Sequence, residues 1–438
     1  MNIIIAGAGK VGFNLAKTLS IGHNVTIIDK NEEALHRIQE SLDIMPLQGE
    51  IEDSHTYINF ADKEIDLFIA VTNIDHVNLI SVVMAEAVLT INRTFVRLQK
   101  HFFQGSEIQH RLNIDMLVFP TLLASQAISS LLKYPKANNV KFFKYTEHKL
   151  ISVMVSGRFQ PQSFYSDNFT IVGIERKKEF FIPTENDVEI YPKDLVYFFG
   201  LEENISKICQ KLELDSHDEM QRCVVFGGDE LGVSISKELV KINREVKLIE
   251  KDLELCQKAD EELEGKVSII NSKYRSHELF EDEGLDNADI FIAATNNDEF
   301  NIIKCLEAKE SGIQKVVAIN NEIEYYNLMH SLGIVVVRGP KMSAYNKIME
   351  EISTTSVVIQ KSFCGARALV FMRKVFISSG LVEKSIKPMK TQEAILFYMR
   401  DEKMYRLNEK ILLKENDLII AFSTTDESTK VKQWIYEL

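Results

Sequence analysis

The chain has 438 residues, more than a single hydrophobic core usually serves, so two to four domains are expected. Hydrophobic residues at 45% and charged residues at 26% are the balance of a globular chain and exclude a disordered one. Asp plus Glu outnumber Lys plus Arg by 64 to 51, and a net charge of -13 would repel a phosphate backbone, which excludes nucleic acid as a partner.

No window is apolar for the roughly 18 residues a membrane helix needs, and Met1 leads straight into a strand pattern without a leader, so a cytoplasmic protein is expected. The five cysteines, Cys209, Cys223, Cys256, Cys305 and Cys364, contain no CxxC pair and read as small buried hydrophobes in a reducing compartment. No spacing of His, Cys, Asp or Glu fits a metal site, so none is expected.

In chain order, NIIIA, NVTII, a short run near Ile44, DLFIAV, TFVRL and DMLVF are apolar, β-branched-rich strands separated by amphipathic stretches of helical length. That alternation predicts a parallel sheet covered on both faces. A helix from about Thr121 to Lys133 follows and stops before Pro135. From about 138 to 214 the pattern turns to strands and turns (KFFKY, LISVMV, TIVGIER, FFIP, DLVYFFG) with a short helix through Ile205 to Leu212, which predicts a small α+β domain. The polar stretch ELDSHDEMQ, 213–221, reads as a linker.

The second half then restates the first, offset by about 220 residues. IIIAGAGKVG at 3–12 returns as CVVFGGDELG at 223–232, VTIID as VKLIE, and DLFIAVTNIDHVN at 66–78 as DIFIAATNNDEFN at 289–301. DLVYFFG from Asp194 returns as DLIIAFS from Asp417. The predicted fold class is therefore α/β: two Rossmann-like, doubly wound parallel-sheet domains, 1–135 and 221–353, each followed by a small α+β domain, 138–214 and 355–438.

Gly7-x-Gly9-x-x-Gly12 sits between a strand and a helix, and Asp29 ends the next strand, 22 residues beyond Gly7. Together they meet the context that a dinucleotide fingerprint requires. Gly7 permits the tight turn, Gly9 lets the backbone approach a pyrophosphate, and Gly12 lets helix lie on strand. The pyrophosphate would rest on free N–H groups at the positive end of the helix dipole. Asp29 can accept from a ribose 2′-OH and would repel a 2′-phosphate, so NAD(H) is expected over NADP(H). Thr72 and Asn73 end a strand at the carboxyl edge of the sheet and serve either the ligand or a cap for the helix near Asp75, which Asp75 itself could also fill. Arg97 lies in an apolar strand and needs an anion, either a phosphate or a protein carboxylate. Glu50, after Gly49, faces either the adenine side or solvent.

In the second copy Asp229 replaces the middle glycine, and matching VRLQ with VAIN sets Ala318 opposite Arg97. A carboxylate where the pyrophosphate should approach, and a missing cation, both disfavour an anionic ligand. Glu250, the counterpart of Asp29, and Thr295 remain, so Glu250 stays a candidate ribose ligand on a lobe that keeps its fold. One good site per chain, in the first half, is expected.

Acid-base chemistry beside a nicotinamide is thinly represented. Tyr145-x-x-x-Lys149 has the spacing of a short-chain-dehydrogenase pair but lies on a strand-turn pattern outside the nucleotide lobe, where positions four apart do not converge. The ten histidines are scattered, with His55 and His76 nearest the glycine turn. No catalytic residue is therefore assigned, and an NAD-dependent oxidoreductase is the alternative reading.

These segments, GAGKVG with Asp29, VTNIDHVN and the degenerate VKLIE and ATNNDEFN, resemble the tandem regulator-of-potassium-conductance proteins (RCK, also called KTN), which regulate potassium uptake systems of the Trk type. The resemblance covers nearly the whole chain. It implies a gating ring that binds NAD(H), or ATP or ADP, and assembles as a homo-oligomer, a tetramer, on the cytoplasmic face of a potassium-translocating integral membrane subunit of the TrkH type. It carries Gly7, Ala8, Gly9, Lys10, Val11 and Gly12 over as phosphate-binding, Asp29 as ribose-binding, and Thr72, Asn73 and Arg97 as completing the pocket. The helices at about 121–133 and 341–353 are then the couplers between lobes and subunits.

Overall fold

Four apolar residues in a row make strand β1 (Asn2–Ala6), and all four are buried because helices cover both faces of the sheet it centres. A computed structural model describes residues 1–42, 44–164, 166, 168–183, 188–214, 220–272, 279–353 and 358–438. From β1 the chain passes through helix α1 (Lys10–Leu19) to β2 (Asn24–Asp29), then through α2 (Glu32–Ser41) to β3 (Met45–Gln48). It then returns to the other side of β1 as Leu67–Ala70, followed outward by Thr94–Arg97 and Met116–Val118. All neighbouring pairs in this six-stranded sheet are parallel. Progress therefore reverses direction at β1, and in such sheets the crevice beyond the carboxyl ends of the two strands at the reversal is where ligands bind.

α1 turns Val11, Leu15 and Leu19 inward at four-residue spacing, with Gly12 and Ala16 keeping the helix close to the sheet. Gly7 is confined to glycine by its backbone, at φ +113, and Gly12 by contact, since a Cβ there would stand 1.9 Å from the Gly7 carbonyl oxygen.

The second half repeats this sheet in the order Ser268–Asn271, Glu245–Glu250, Arg222–Phe226, Ile290–Ala293, Lys315–Asn320, Val335–Arg338. Its register corrects one detail of the sequence comparison. Ala70 pairs with Val96 in the first sheet and its counterpart Ala293 pairs with Ala318 in the second, so Ala318 corresponds to Val96 and Arg97 to Ile319. The comparison slipped by one residue because a short apolar strand offers no internal mark of register; hydrogen bonds to strands on either side fix it. Either way the second copy lacks the cation.

Each sheet of this kind is followed by a five-stranded antiparallel one. In the first, Leu195–Gly200 pairs with Phe169–Arg176 and Lys149–Met154; in the second, Leu418–Thr424 pairs with Ala368–Lys374 and Ala394–Arg400. The expected strand KFFKY is shorter than its composition suggested. It pairs only as Asn139–Lys141, and Phe143 enters the core from beyond the strand. Apolar side chains of both antiparallel sheets share that core, with the rings of Phe199 and Phe422 5.2 Å apart. The repeat extends to a buried ion pair: Arg176 grips Asp194 at 2.9 and 2.7 Å, and Arg400 grips Asp417 at the same two distances. Both aspartates are 1% exposed, so the bidentate geometry answers a charge that water cannot reach.

Two compact units divide the chain, one comprising Met1–Gln126 with Arg338–Met349 and the other Ala127–Val337 with Glu350–Leu438. The helices expected to close the two parallel-sheet lobes, Pro120–Leu132 and Pro340–Ser353, thus each contribute residues to both units. The first twelve residues of the late segment fold with the opening lobe, far away in sequence. Of the expected linker, residues 215–219 lie outside the described residues. All five cysteines are buried free thiols. Among the described residues no helix is long and apolar enough to cross a membrane.

Candidate functional site

A cavity of about 310 Å³ opens at the carboxyl end of the first parallel sheet. Gly7, Gly9, Lys10, Val11, Asp29, Glu50, Thr72, Asn73 and Arg97 line it, which brings together most of the residues singled out in the sequence. Ala8 and Gly12 act from behind. The Ala8 amide donates to Asp29 Oδ2 at 2.6 Å, and Gly12 supports the turn through its contact with Gly7. Asn31 N donates to Asp29 Oδ1 at 2.9 Å, so the carboxylate is held by the backbone on both oxygens. His55 bonds Asp53 instead, and neither it nor His76 is among the residues lining the cavity.

The three glycines of the turn are not equivalent. Gly7 and Gly12 are demanded by the protein's own backbone. Gly9 has φ -68 and ψ -176, which any residue adopts, and a Cβ built on it would meet nothing within 4 Å. Internal packing therefore gives no reason for glycine there; a group resting against that backbone would. Gly9 is also the N-cap of α1 and supplies no side-chain cap, and Lys10 and Val11 of the first turn line the cavity, where helix amides favour a phosphate.

The strand ends that form the opposite wall are held by one side chain the sequence reading matched across the repeat without assigning it a role. Asn78 donates through Nδ2 to the carbonyls of Thr72 at 3.1 Å and Arg97 at 2.8 Å, and its Oδ1 accepts from the Thr72 amide at 2.9 Å and the Thr72 hydroxyl at 2.6 Å. It ties together the ends of two neighbouring strands and is fully buried. Thr72 is thereby committed to Asn78 and to the Ile74 amide. The helix Asp75–Glu86 receives no side-chain cap from Thr72, Asn73 or Asp75; the Asp75 carboxylate accepts instead from the amides of Gln99 and Lys100, at 2.7 and 2.9 Å. Arg97, 6% exposed, donates from Nη1 to Asn73 Oδ1 at 2.8 Å and lines the cavity. Sequence reasoning also missed Lys30, Ile51, Glu52, Val77 and Lys341, which lie in the lining. Lys341 had no visible signal, because it is 244 residues beyond Arg97.

The second lobe uses the same framework differently. Asn301 repeats the Asn78 clamp on Thr295 and the Ile319 carbonyl. Asp229 stands where Gly9 does, with φ -72 and ψ -176, and its Oδ1 accepts from the amides of Leu231 and Gly232 at 3.1 and 3.3 Å. Asn296, with no arginine to hold, donates to Asp229 Oδ2 at 2.9 Å. Burial raises the Asp229 carboxyl above its ordinary value and the charge of Glu250 adds to the rise, while the two amides and Asn296 oppose it. The helix start is thus satisfied by the protein's own carboxylate. Glu250 holds the Gly228 amide at 2.6 Å, as Asp29 holds Ala8, and accepts from Lys251 and Asp252 as well. Gly228 and Glu250 lie too close for a side chain between them: a Cβ on Gly228 would stand 2.7 Å from the Glu250 Cβ and 2.9 Å from its Cγ, so the Ala8–Asp29 pair of the first copy is Gly228–Glu250 in the second. Glu250 belongs to this second turn and takes no part in the first-half cavity.

Among the described residues no group of three or more His, Cys, Asp or Glu could hold a metal. Tyr145 and Lys149 do not form a pair: the Lys149 ammonium bonds the Tyr134 hydroxyl at 2.6 Å and the Glu202 carboxylate.

A doubly wound sheet with a glycine turn and an acidic residue closing its second strand defines a Rossmann-like lobe, and this chain contains two, the first with a cavity at its turn. It belongs to the TrkA-N domain family, whose sequence model matches residues 3–120 and again 223–340. The chain is 27% identical over 443 residues to a Trk system potassium uptake protein TrkA homolog of Archaeoglobus fulgidus, covering 99% of each chain. To the Trk system potassium uptake protein TrkA of Azorhizobium caulinodans it is 23% identical, covering 99% of this chain and 98% of that one. Among solved structures its fold is similar to the GsuK RCK domain (TM-score 0.61, 15% identity, covering 100% of this chain and 95% of that one). It is also similar to the GsuK channel bound to NAD (TM-score 0.62, 15% identity, 100% and 79%).

Proposed function

We propose that this chain is a nucleotide-sensing regulatory subunit of a potassium uptake system. Its first-half cavity binds NAD(H), or ATP or ADP, and the bound state controls a potassium-translocating membrane partner on whose cytoplasmic face copies of the chain assemble. The four-segment division at 1–135, 138–214, 221–353 and 355–438 belongs to the same reading, as does the absence of chemistry on the ligand.

The observation that carries the reading is the uncapped glycine turn: Gly9 faces an open cavity that no neighbouring atom requires it to leave bare, with Asp29 fixed beside it. Phosphates fit the amides of α1, a ribose hydroxyl fits Asp29, and Arg97 adds a cation at the far wall. Named relatives along the full length support the transport role. A ligand acts on the partner only through its difference in affinity between two conformations, and a tenfold bias requires about 1.4 kcal/mol.

Titration calorimetry of the full chain with NADH, NAD⁺, ATP and ADP tests the reading. One strong site per chain is expected, lost in Asp29→Ala with the fold retained; two equivalent sites, or unchanged binding by that variant, would overturn the assignment. Nucleotide-dependent recovery of a potassium transporter with the chain from membranes tests the partner. Turnover of reduced nicotinamide with a carbonyl substrate panel would revive the oxidoreductase alternative.

A further inference from the structure

Lys341, on a helix from the second half of the sequence, lines the cavity built by the first. Pro340 opens that helix, Pro340–Ser353, and fixes its first turn. One turn further on, Tyr345 Oη lies 2.8 Å from Thr18 Oγ1 of α1, so the helix is docked on the same element whose amides start the phosphate turn. Residues four apart share a helix face, which places Lys341 on the side that meets α1, about 6 Å nearer the helix start than Tyr345.

The charge of the lining depends on it. Without Lys341 the cavity carries Lys10, Lys30 and Arg97 against Asp29, Glu50 and Glu52, an even balance; Lys341 turns the balance positive. Its side chain is exposed, and among the described residues it has no hydrogen-bond or ion-pair partner. An ammonium in that position attracts a phosphate without first breaking a protein contact.

We propose that Lys341 contacts the phosphates of the bound nucleotide, so that the first-half site is completed by the second half of the chain and favours ligands by their phosphate charge. The proposal rests on the nucleotide reading of the cavity. It also gives the ligand a route to the rest of the molecule: the helix that carries Lys341 continues from Glu350 into residues that fold with the second unit. A ligand that grips Lys341 therefore grips an element shared by both.

The test is calorimetric titration of the full-length wild type, Lys341→Gln, Lys341→Arg and Asp29→Ala with ATP, ADP and adenosine, each at two salt concentrations. Lys341→Gln is expected to weaken ATP and ADP about tenfold, the effect of losing one hydrogen bond to a charged group, and to flatten the salt dependence. Adenosine affinity should not change, and Lys341→Arg should restore most of the loss. Since the side chain is exposed, thermal unfolding of the unliganded variant should match wild type. If wild type binds ATP and Lys341→Gln binds it within twofold, the proposal falls while the nucleotide site stands. If adenosine weakens as much as ATP, the role is structural and the proposal also falls. If wild type binds no nucleotide, the reading beneath it has failed.

Discussion

Gly9→Asp moves into the first lobe the substitution that the second lobe already carries. The two backbones match: φ and ψ are -68 and -176 at Gly9, and -72 and -176 at Asp229. A Cβ at Gly9 is unobstructed to 4 Å, so the new carboxylate should swing onto the amides of Val11 and Gly12 as Asp229 does onto Leu231 and Gly232. Replacing glycine by aspartate at a helix N-cap changes stability by only a few tenths of a kcal/mol, in the favourable direction. The ligand loses far more. Two amide bonds to a charged phosphate contribute about 1.5–3 kcal/mol each, and the carboxylate adds repulsion. A loss of about 3 kcal/mol or more follows, a weakening of more than roughly 100-fold. NADH fluorescence titration beside thermal denaturation reads both halves of the argument. A variant that melts at or above the wild-type temperature but binds NADH normally would refute the claim that phosphate rests on that turn.

Other perturbations separate framework from ligand. Asn78→Ala strands the Thr72 and Arg97 carbonyls and should cost about 3 kcal/mol in denaturant unfolding of the first lobe; a cost below about 1 kcal/mol would contradict the clamp. Asp417→Asn leaves Arg400 without its bidentate partner at a buried site and should destabilise by about 3 kcal/mol, whereas the exposed pair Arg111–Glu107 should tolerate Glu107→Gln within about 0.5 kcal/mol. Burial lowers His148 and His330 below the ordinary 6.5, with Glu175 opposing the shift at His330. Between the lowered values and 6.5 the unfolded chain binds more protons than the folded one, so stability is present above pH 6.5 and is lost as pH falls through that window. His148→Gln with His330→Gln should flatten the decline in unfolding midpoint on acidification; an unaltered slope would assign it to other groups.

Much of the architecture was legible because it rests on local rules. The glycine turn, the strand alternation and the acid at position 29 are each set by sterics or periodicity within a few residues, and the duplication exposed the lobes by direct comparison. The reading faltered where a residue's meaning depends on a neighbour distant in sequence. The one-residue slip that set Ala318 against Arg97 could be resolved only by pairing with Leu67–Ala70 and Ile290–Ala293. Thr72 looked free to cap a helix or meet a ligand until Asn78 was seen to occupy it.

The sequence by itself determined that two nucleotide-type lobes follow one another and that the first alone keeps an open glycine turn, since a side chain's absence at position 9 and a carboxylate's presence at position 229 need no folding to be read. Only the tertiary structure decided that Asn78 and Asn301 lock the ends of neighbouring strands and that Lys341 belongs to the first cavity. The clamps join strand ends 19 and 18 residues from the asparagines, and Lys341 comes 244 residues after Arg97, so these contacts form only once helices and sheets have packed.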